Sequence, residues 1–199
     1  MGAYKHETIV SATELRENCY LFWCAKTLTA AVIDPGDGAA AILARIRALG
    51  LRVDFILLTH GHHDHTGAVA ALREATGAAV CIHAADEPLL RNISVPADRL
   101  LSDGDLIPLG DTALRVLHTP GHTPGGLCYY AEGILFSGDT LFHTDVGYTH
   151  FPGGSASDLA RSIREKLYTL NEATVVYPGH EESTTIGEEK YNNLCVRWQ

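Results

Sequence analysis

Short apolar runs rich in strand formers, separated by turn signals, dominate the start of the chain. Leu21 to Trp23 and Thr29 to Ile33 read as a hairpin entering a sheet, closed by Asp34-Pro35-Gly36-Asp37-Gly38. The period then changes. From Ala39 to Leu49 the residues Ile42, Leu43, Ile46 and Leu49 recur at helical spacing while Arg45 and Arg47 fall elsewhere, and Gly50 closes the helix. Val53 to Leu58 reads as a buried strand, followed by a helix over Ala68 to Ala75, a strand at Val80 to Ile82 and a short helix near Ala84 to Leu90. The second half predicts strands at Ala113 to Leu117, Leu127 to Tyr130, Ile134 to Phe136 and Val175 to Val176, with a helix from Ser157 to about Leu170 between the last two. Strands that first cluster and then alternate with helices predict an α+β chain of two antiparallel or mixed sheets with helices outside. No linker or low-complexity stretch divides it, so one domain over 1–199 is expected.

Four of these strands finish the same way, in a turn residue and then a side chain able to bind a metal. The endings are Leu57-Leu58-Thr59-His60, Thr119-Pro120-Gly121-His122, Ser137-Gly138-Asp139 and Tyr177-Pro178-Gly179-His180. Strand termini are fixed by their ladders, and Gly or Pro-Gly turns the chain sharply, so four such ends can converge on one rigid site. The densest stretch, His60-Gly61-His62-His63-Asp64-His65, contains the pattern His-x-His-x-Asp-His. Imidazole suits zinc, iron or manganese and carboxylate suits the harder ions. Without a Cys, the mixture points to a hydrolytic or oxygen-handling centre and away from a structural zinc knot.

Composition agrees with such a site. Eleven His stand against four Lys, and 24 acids against 15 bases give a formal charge of −9, which disfavours nucleic acid as a partner. With 46% hydrophobic and 20% charged residues, the chain suits a soluble fold with no membrane span. The five cysteines are scattered and odd in number, which suits reduced thiols. Lys5, His6 and Glu7 occupy the place of a signal peptide's apolar core, so the cytoplasm is the expected compartment.

Thr59 to His65, Thr119-Pro120-Gly121-His122-Thr123-Pro124-Gly125, Ser137-Gly138-Asp139-Thr140-Leu141-Phe142 and Pro178-Gly179-His180 resemble the metallo-β-lactamase superfamily, over a stretch from Asn18 to Gly187. The resemblance implies an αββα sandwich, and its spacing is most similar to the glyoxalase II branch, hydroxyacylglutathione hydrolases. It implies two divalent metal ions, zinc first with iron or manganese as alternatives. His60, His62 and His122 would hold one, Asp64, His65 and His180 the other, and Asp139 would bridge them. Asp64 and Asp139 are thereby the acidic residues of the catalytic centre. Three protein ligands and a shared carboxylate leave room for a bridging water or hydroxide, as a catalytic site requires. The implied chemistry is hydrolysis of a small acyl substrate, a thioester first. The aspartate of Asp-Pro-Gly, Asp34, would accept the second N–H of a ligand imidazole; alternatively it caps its own turn.

The sequence departs from these relatives after the bridging Asp. Val146-Gly147-Tyr148-Thr149-His150-Phe151 has Tyr148 where a cation would hold an anionic substrate, and the helical C-terminal domain of glyoxalase II has no counterpart. Tyr148 is expected to hydrogen-bond the substrate, or to pack in its loop, and His150 to accept or shuttle a proton. His63 is expected to point away from the metals by alternation, and His118 to be a hydrogen-bonded strand-end residue; His6, His83 and His143 are not expected as ligands. The rival reading is a persulfide dioxygenase, with one iron on His60, His122 and Asp139. A lactonase and a non-catalytic metal-binding module are further alternatives.

Overall fold

The computed structural model describes residues 4–197; the first three and last two residues of the expected 1–199 domain lie outside the described residues. Six strands pair in sequence order in a first sheet: β1 (Tyr4–Val10), β2 (Asn18–Cys24), β3 (Thr29–Ile33), β4 (Arg52–Leu57), β5 (Ala79–His83) and β6 (Arg99–Leu101). Pairing is antiparallel as far as β3 and parallel from β3 to β6. A second sheet, again in sequence order, holds β7 (Leu106–Leu109), β8 (Thr112–His118), β9 (Leu127–Ala131), β10 (Ile134–Gly138), β11 (Val175–Pro178) and β12 (Thr184–Thr185), with β10 and β11 parallel.

Parallel neighbours need crossovers, which put helices on the sheet faces. Helix α1 (Ala39–Leu49) joins β3 to β4; the helical turn α2 (His63–Thr66) and helix α3 (Val69–Thr76) join β4 to β5. Helix α4 (Ala156–Ser162) runs on as a π-helical segment, Ile163–Leu167, between β10 and β11, and α5 (Ile186–Asn192) follows β12. Gly38 and Gly50 bracket α1 as expected, and Ser155 and Thr185 cap α4 and α5 by accepting the backbone N–H groups of Asp158 and Glu188.

Side chains alternate between layers with period two. In β2, Tyr20 and Phe22 enter the core between the sheets, while Cys19, Leu21 and Trp23 pack outward with Ile42 and Ile46 of α1 and Leu72 of α3. In β10, Ile134 and Phe136 face the inter-sheet core and Leu135 packs outward with Leu159, Leu167 and Ile186. Three apolar layers thus separate helix, sheet, sheet and helix, which is the αββα sandwich expected.

Several elements differ from the pattern reading. The helix near Ala84 to Leu90 is a 3-10 helix over Glu87–Ile93 that admits Pro88 at its start, and the helix from Ser157 changes register into its π-helical segment. β1, β6, β7, β12 and α5 are not visible in the pattern. β1 is a polar edge strand, β7 is an edge strand containing Pro108, and β6 and β12 are three and two residues long.

The sheets are tied directly beneath the strand ends by the fully buried Tyr129 of β9, whose hydroxyl donates to the carbonyl of Leu58 at 2.7 Å. Tyr129→Phe leaves that carbonyl short of a partner and should cost about 1–2 kcal/mol. A thermal unfolding midpoint lower by about 2–6 °C, with metal content unchanged, is the expected measurement.

Candidate metal centre

All four strand endings come to one edge of the sandwich. The carboxyl ends of β4, β8, β10 and β11 lead into His60, His122, Asp139 and His180. Two of the turns use backbone that only glycine adopts freely: Gly121 has φ 144° and Gly138 φ 50°. Between β4 and α3, His62 stands at the N-cap of α2, and Asp64 and His65 lie within that single helical turn. The turn, not strand alternation, is what sends His63 outward, where its side chain is 88% exposed.

The side chains form two adjoining groups. Ligand atoms of His60, His62 and His122 lie within 4.8 Å of one another, and those of Asp64, His65 and His180 do likewise. Asp139 lies between them: one carboxylate oxygen is 3.4 Å from His65 Nε2, and the other is 3.5 Å from His122 Nε2 and 3.8 Å from His180 Nε2. His180 Nε2 is 3.4 Å from an Asp64 oxygen. The structure therefore brings together all seven residues singled out by the sequence.

Four of the five rings are aimed by the far nitrogen. His65 Nδ1 donates to Asp34 at 3.2 Å, His122 Nδ1 to the carbonyl of Tyr148 at 2.6 Å, and His180 Nδ1 to the carbonyl of Leu15 at 3.0 Å. His60 Nδ1 donates to Thr59 Oγ1 at 3.0 Å, and that hydroxyl donates in turn to Asp34 at 2.6 Å. Asp34 also accepts the Thr59 N–H at 2.7 Å, so it reaches across the chain and does not cap its own turn. It is 2% exposed and held at φ 48°, a left-handed conformation that Asp tolerates better than most residues.

These acceptors fix the tautomers, and the tautomers expose the problem that a metal solves. With the protons on Nδ1, Nε2 carries a lone pair. The Nε2 atoms of His65 and His180 face each other at 3.3 Å, and His122 Nε2 faces His62 Nδ1 at 3.0 Å. The buried His60 Nε2 and one Asp139 oxygen have no hydrogen-bond partner. Burial and the neighbouring imidazoles hold His60 well below the ordinary histidine range. Burial opposes charge on His65 too, but Asp139, Asp34 and Asp64 outweigh it and push that ring up to about 10, so without a cation a second proton occupies its Nε2, the position a metal would take over. Lone pairs converging on a small volume, with carboxylates beside them, fit a divalent cation in each group.

Other expected residues lie at the rim. Tyr148 is 60% exposed, its ring 4.5 Å from that of His150 and 5.6 Å from that of Phe151. Its backbone carbonyl, not its hydroxyl, touches the centre, through His122. His118 Nε2 donates to the Pro124 carbonyl and its ring stacks on His83, and His143 pairs with Glu182.

Three contributors escaped the sequence reading. Phe151 lies edge-on to His62 at 5.1 Å and to His122 at 6.0 Å, forming an apolar wall. The buried Asp86 accepts the N–H groups of Gly61 at 3.2 Å and Gly125 at 2.8 Å, bracing two ligand-bearing loops against each other. Glu17 is 1% exposed, and neither carboxyl oxygen has a hydrogen-bond partner. Nothing local marks any of them; only tertiary packing does.

Burial raises Glu17 to about 8, against a lowering influence from His65. The folded state then holds a proton that the unfolded chain gives up near the ordinary carboxylate value, so stability falls as pH rises from about 5 to 8. In metal-stripped protein, Glu17→Gln should remove that loss. Denaturant titrations across this range should show the variant gaining on the wild type by up to about 1.4 kcal/mol per pH unit; parallel curves would contradict it.

Comparison with known proteins places the chain. Residues 12–180 match the metallo-β-lactamase superfamily. Hydroxyacylglutathione hydrolase GloC of Haemophilus influenzae is 35% identical over 202 residues, covering 93% of this chain and 95% of its own. Among solved structures, the B3 metallo-β-lactamase BLEG-1 is 33% identical with a TM-score of 0.87, covering 96% of this chain and 98% of its own. TTHA1623, solved in a di-iron-bound form, is 36% identical with a TM-score of 0.83, covering 94% and 98%. These relatives share a scaffold under names that differ in substrate. The match begins in the loop after β1 and ends on His180, so every converging side chain falls within it, and the chain belongs to the metallo-β-lactamase superfamily.

Proposed function

We propose that this metallo-hydrolase cleaves thioesters of the hydroxyacylglutathione type, with His60, His62 and His122 holding one divalent ion, Asp64, His65 and His180 a second, and Asp139 between them. The observation that carries the reading is the pair of facing lone-pair groups with a carboxylate reaching both. Two groups of three ligands leave coordination open for water and substrate, which a structural site does not need. The similarity to a hydroxyacylglutathione hydrolase over almost the full length of both chains supports the thioester. When bound, the two cations acidify water into a nucleophile at neutral pH and polarise the acyl carbonyl; zinc or iron serves.

The chain's own residues do the positioning. Asp34, the Tyr148 carbonyl and the Leu15 carbonyl keep three rings in one tautomer and one orientation. Phe151 shields His62 and His122 from water on one side. Tyr148 and His150 form an exposed rim where the acyl group would pass, Tyr148 offering its hydroxyl and His150 a site for a proton. A thiol has a pKa of about 8.5, so its thiolate leaves without prior protonation and the rim is needed more for orientation than for acid catalysis. Among the described residues no helix is long and apolar enough to cross a membrane, and four of the five cysteines are buried free thiols, which suits work in the cytoplasm on a small substrate.

Metal analysis of protein purified without added metal, coupled to a thiol-release assay on a lactoyl thioester of glutathione, tests the reading. About two ions per chain and turnover that chelation abolishes are expected, with Asp139→Ala losing at least about 100-fold in rate. One equivalent of iron with oxygen uptake on a persulfide would replace the hydrolase by a mononuclear dioxygenase on His60, His122 and Asp139. Equal turnover by wild type and Asp139→Ala would remove catalysis at this site altogether.

Asp34→Asn keeps the side chain's shape but cannot accept every N–H it now accepts. Its metal affinity, measured by competition with a chelating dye, should fall about 10–100-fold while the far-ultraviolet circular dichroism stays unchanged.

A further inference from the structure

Beside the metal centre lies a groove of about 770 Å³ between the loop that precedes β2 and the segment that follows β11. The two share a wall: His180, whose Nε2 faces Asp64 and Asp139, also lines the groove. The groove's charged side chains are Glu14, Arg16, Glu181 and Glu182, all exposed. Glu182 is engaged by His143. Arg16, Glu14 and Glu181 take part in no ion pair among the described residues, although they line one groove. Elsewhere on the surface Arg45, Arg73 and Arg161 each have an acid of their own.

The walls are stitched together. Asn18 gives its side-chain amide to the carbonyls of Pro178 at 3.0 Å and Glu181 at 2.9 Å, and its backbone N–H to Gly179 at 2.7 Å. The Leu15 carbonyl holds His180 at 3.0 Å. A ligand there meets a preformed surface, and the volume suits a small peptide-sized molecule. The side chains of Tyr148 and Phe151 at the rim carry no charge, whereas Arg16 places a guanidinium in the groove that shares His180 with the centre. The surrounding acids make the groove net negative, which disfavours a polyphosphate and favours a group carrying both signs.

We infer that this groove binds a zwitterionic α-amino-acid head on the thiol portion of the substrate, Arg16 taking its carboxylate and Glu14 and Glu181 its ammonium. The inference rests on the thioester reading and deepens it: it selects thioesters of a peptide thiol such as glutathione over those of coenzyme A.

Steady-state kinetics of the metal-loaded enzyme test it with three lactoyl thioesters: of glutathione, of N-acetylglutathione and of uncharged N-acetylcysteamine. Arg16→Gln should raise KM for the glutathione thioester about tenfold, with kcat and metal content unchanged, and leave KM for the uncharged thioester where it was. N-acetylation should raise KM for the wild type and make no difference to Glu14→Gln/Glu181→Gln. If Arg16→Gln changes both KM values equally, or neither, the groove is not the head site. If the wild type hydrolyses no thioester, the functional reading fails by itself, and calorimetry with free glutathione decides the groove: binding that Arg16→Gln loses supports it, and no binding to the wild type overturns it.

Discussion

The constraint on which this structure turns is the convergence of imidazole lone pairs. Nε2 of His65 stands 3.3 Å from that of His180, and Nε2 of His122 stands 3.0 Å from Nδ1 of His62, so each pair needs a shared proton or a cation between its nitrogens. The arrangement persists because four of the five rings are anchored on the side away from the site. Asp34, Thr59 and the carbonyls of Leu15 and Tyr148 hold the outer nitrogens, and those groups are fixed by strands and turns that have their own cores. The apolar layers of the sandwich supply the stability that holds these polar groups together.

The two sheets contribute unequally and in a complementary way. The first sends His60, His62, Asp64 and His65 out of one strand end and one helical turn, a compact cluster with local geometry. The second sends His122, Asp139 and His180 from three different strands, each separately placed by its ladder. Neither sheet alone surrounds a metal. Tyr129, Asp86 and Asn18 help to close the groups by binding one sheet's loops to the other's, at Leu58, Gly61 and Gly125, and Pro178.

The strand, turn and ligand order is a local signal, so the convergence of the seven residues and the αββα layering could be read from the chain itself. Continuous short apolar runs likewise mark the central strands, which are buried on both faces. What was illegible is relational. Asp86 looks like any loop acid until Gly61 and Gly125 are brought to it, and Glu17 like a surface acid until Gly36 and His65 enclose it. His63 was placed outward for a reason of strand alternation that the helical turn replaces. The residue type of Tyr148 points to its hydroxyl, whereas its contact with the centre is made by a backbone carbonyl, which no residue type announces.

That carbonyl joins two parts of the molecule with different mechanical duties. The segment from Tyr148 to Phe151 is surface chain with an exposed rim of rings, while His122 is a buried imidazole at the end of β8. They share one hydrogen bond of 2.6 Å. A displacement of this segment must either carry the ring with it or break the hydrogen bond that sets the ring's tautomer. The position of the exposed segment and the proton on one imidazole of the candidate metal centre are therefore mechanically linked through a single hydrogen bond.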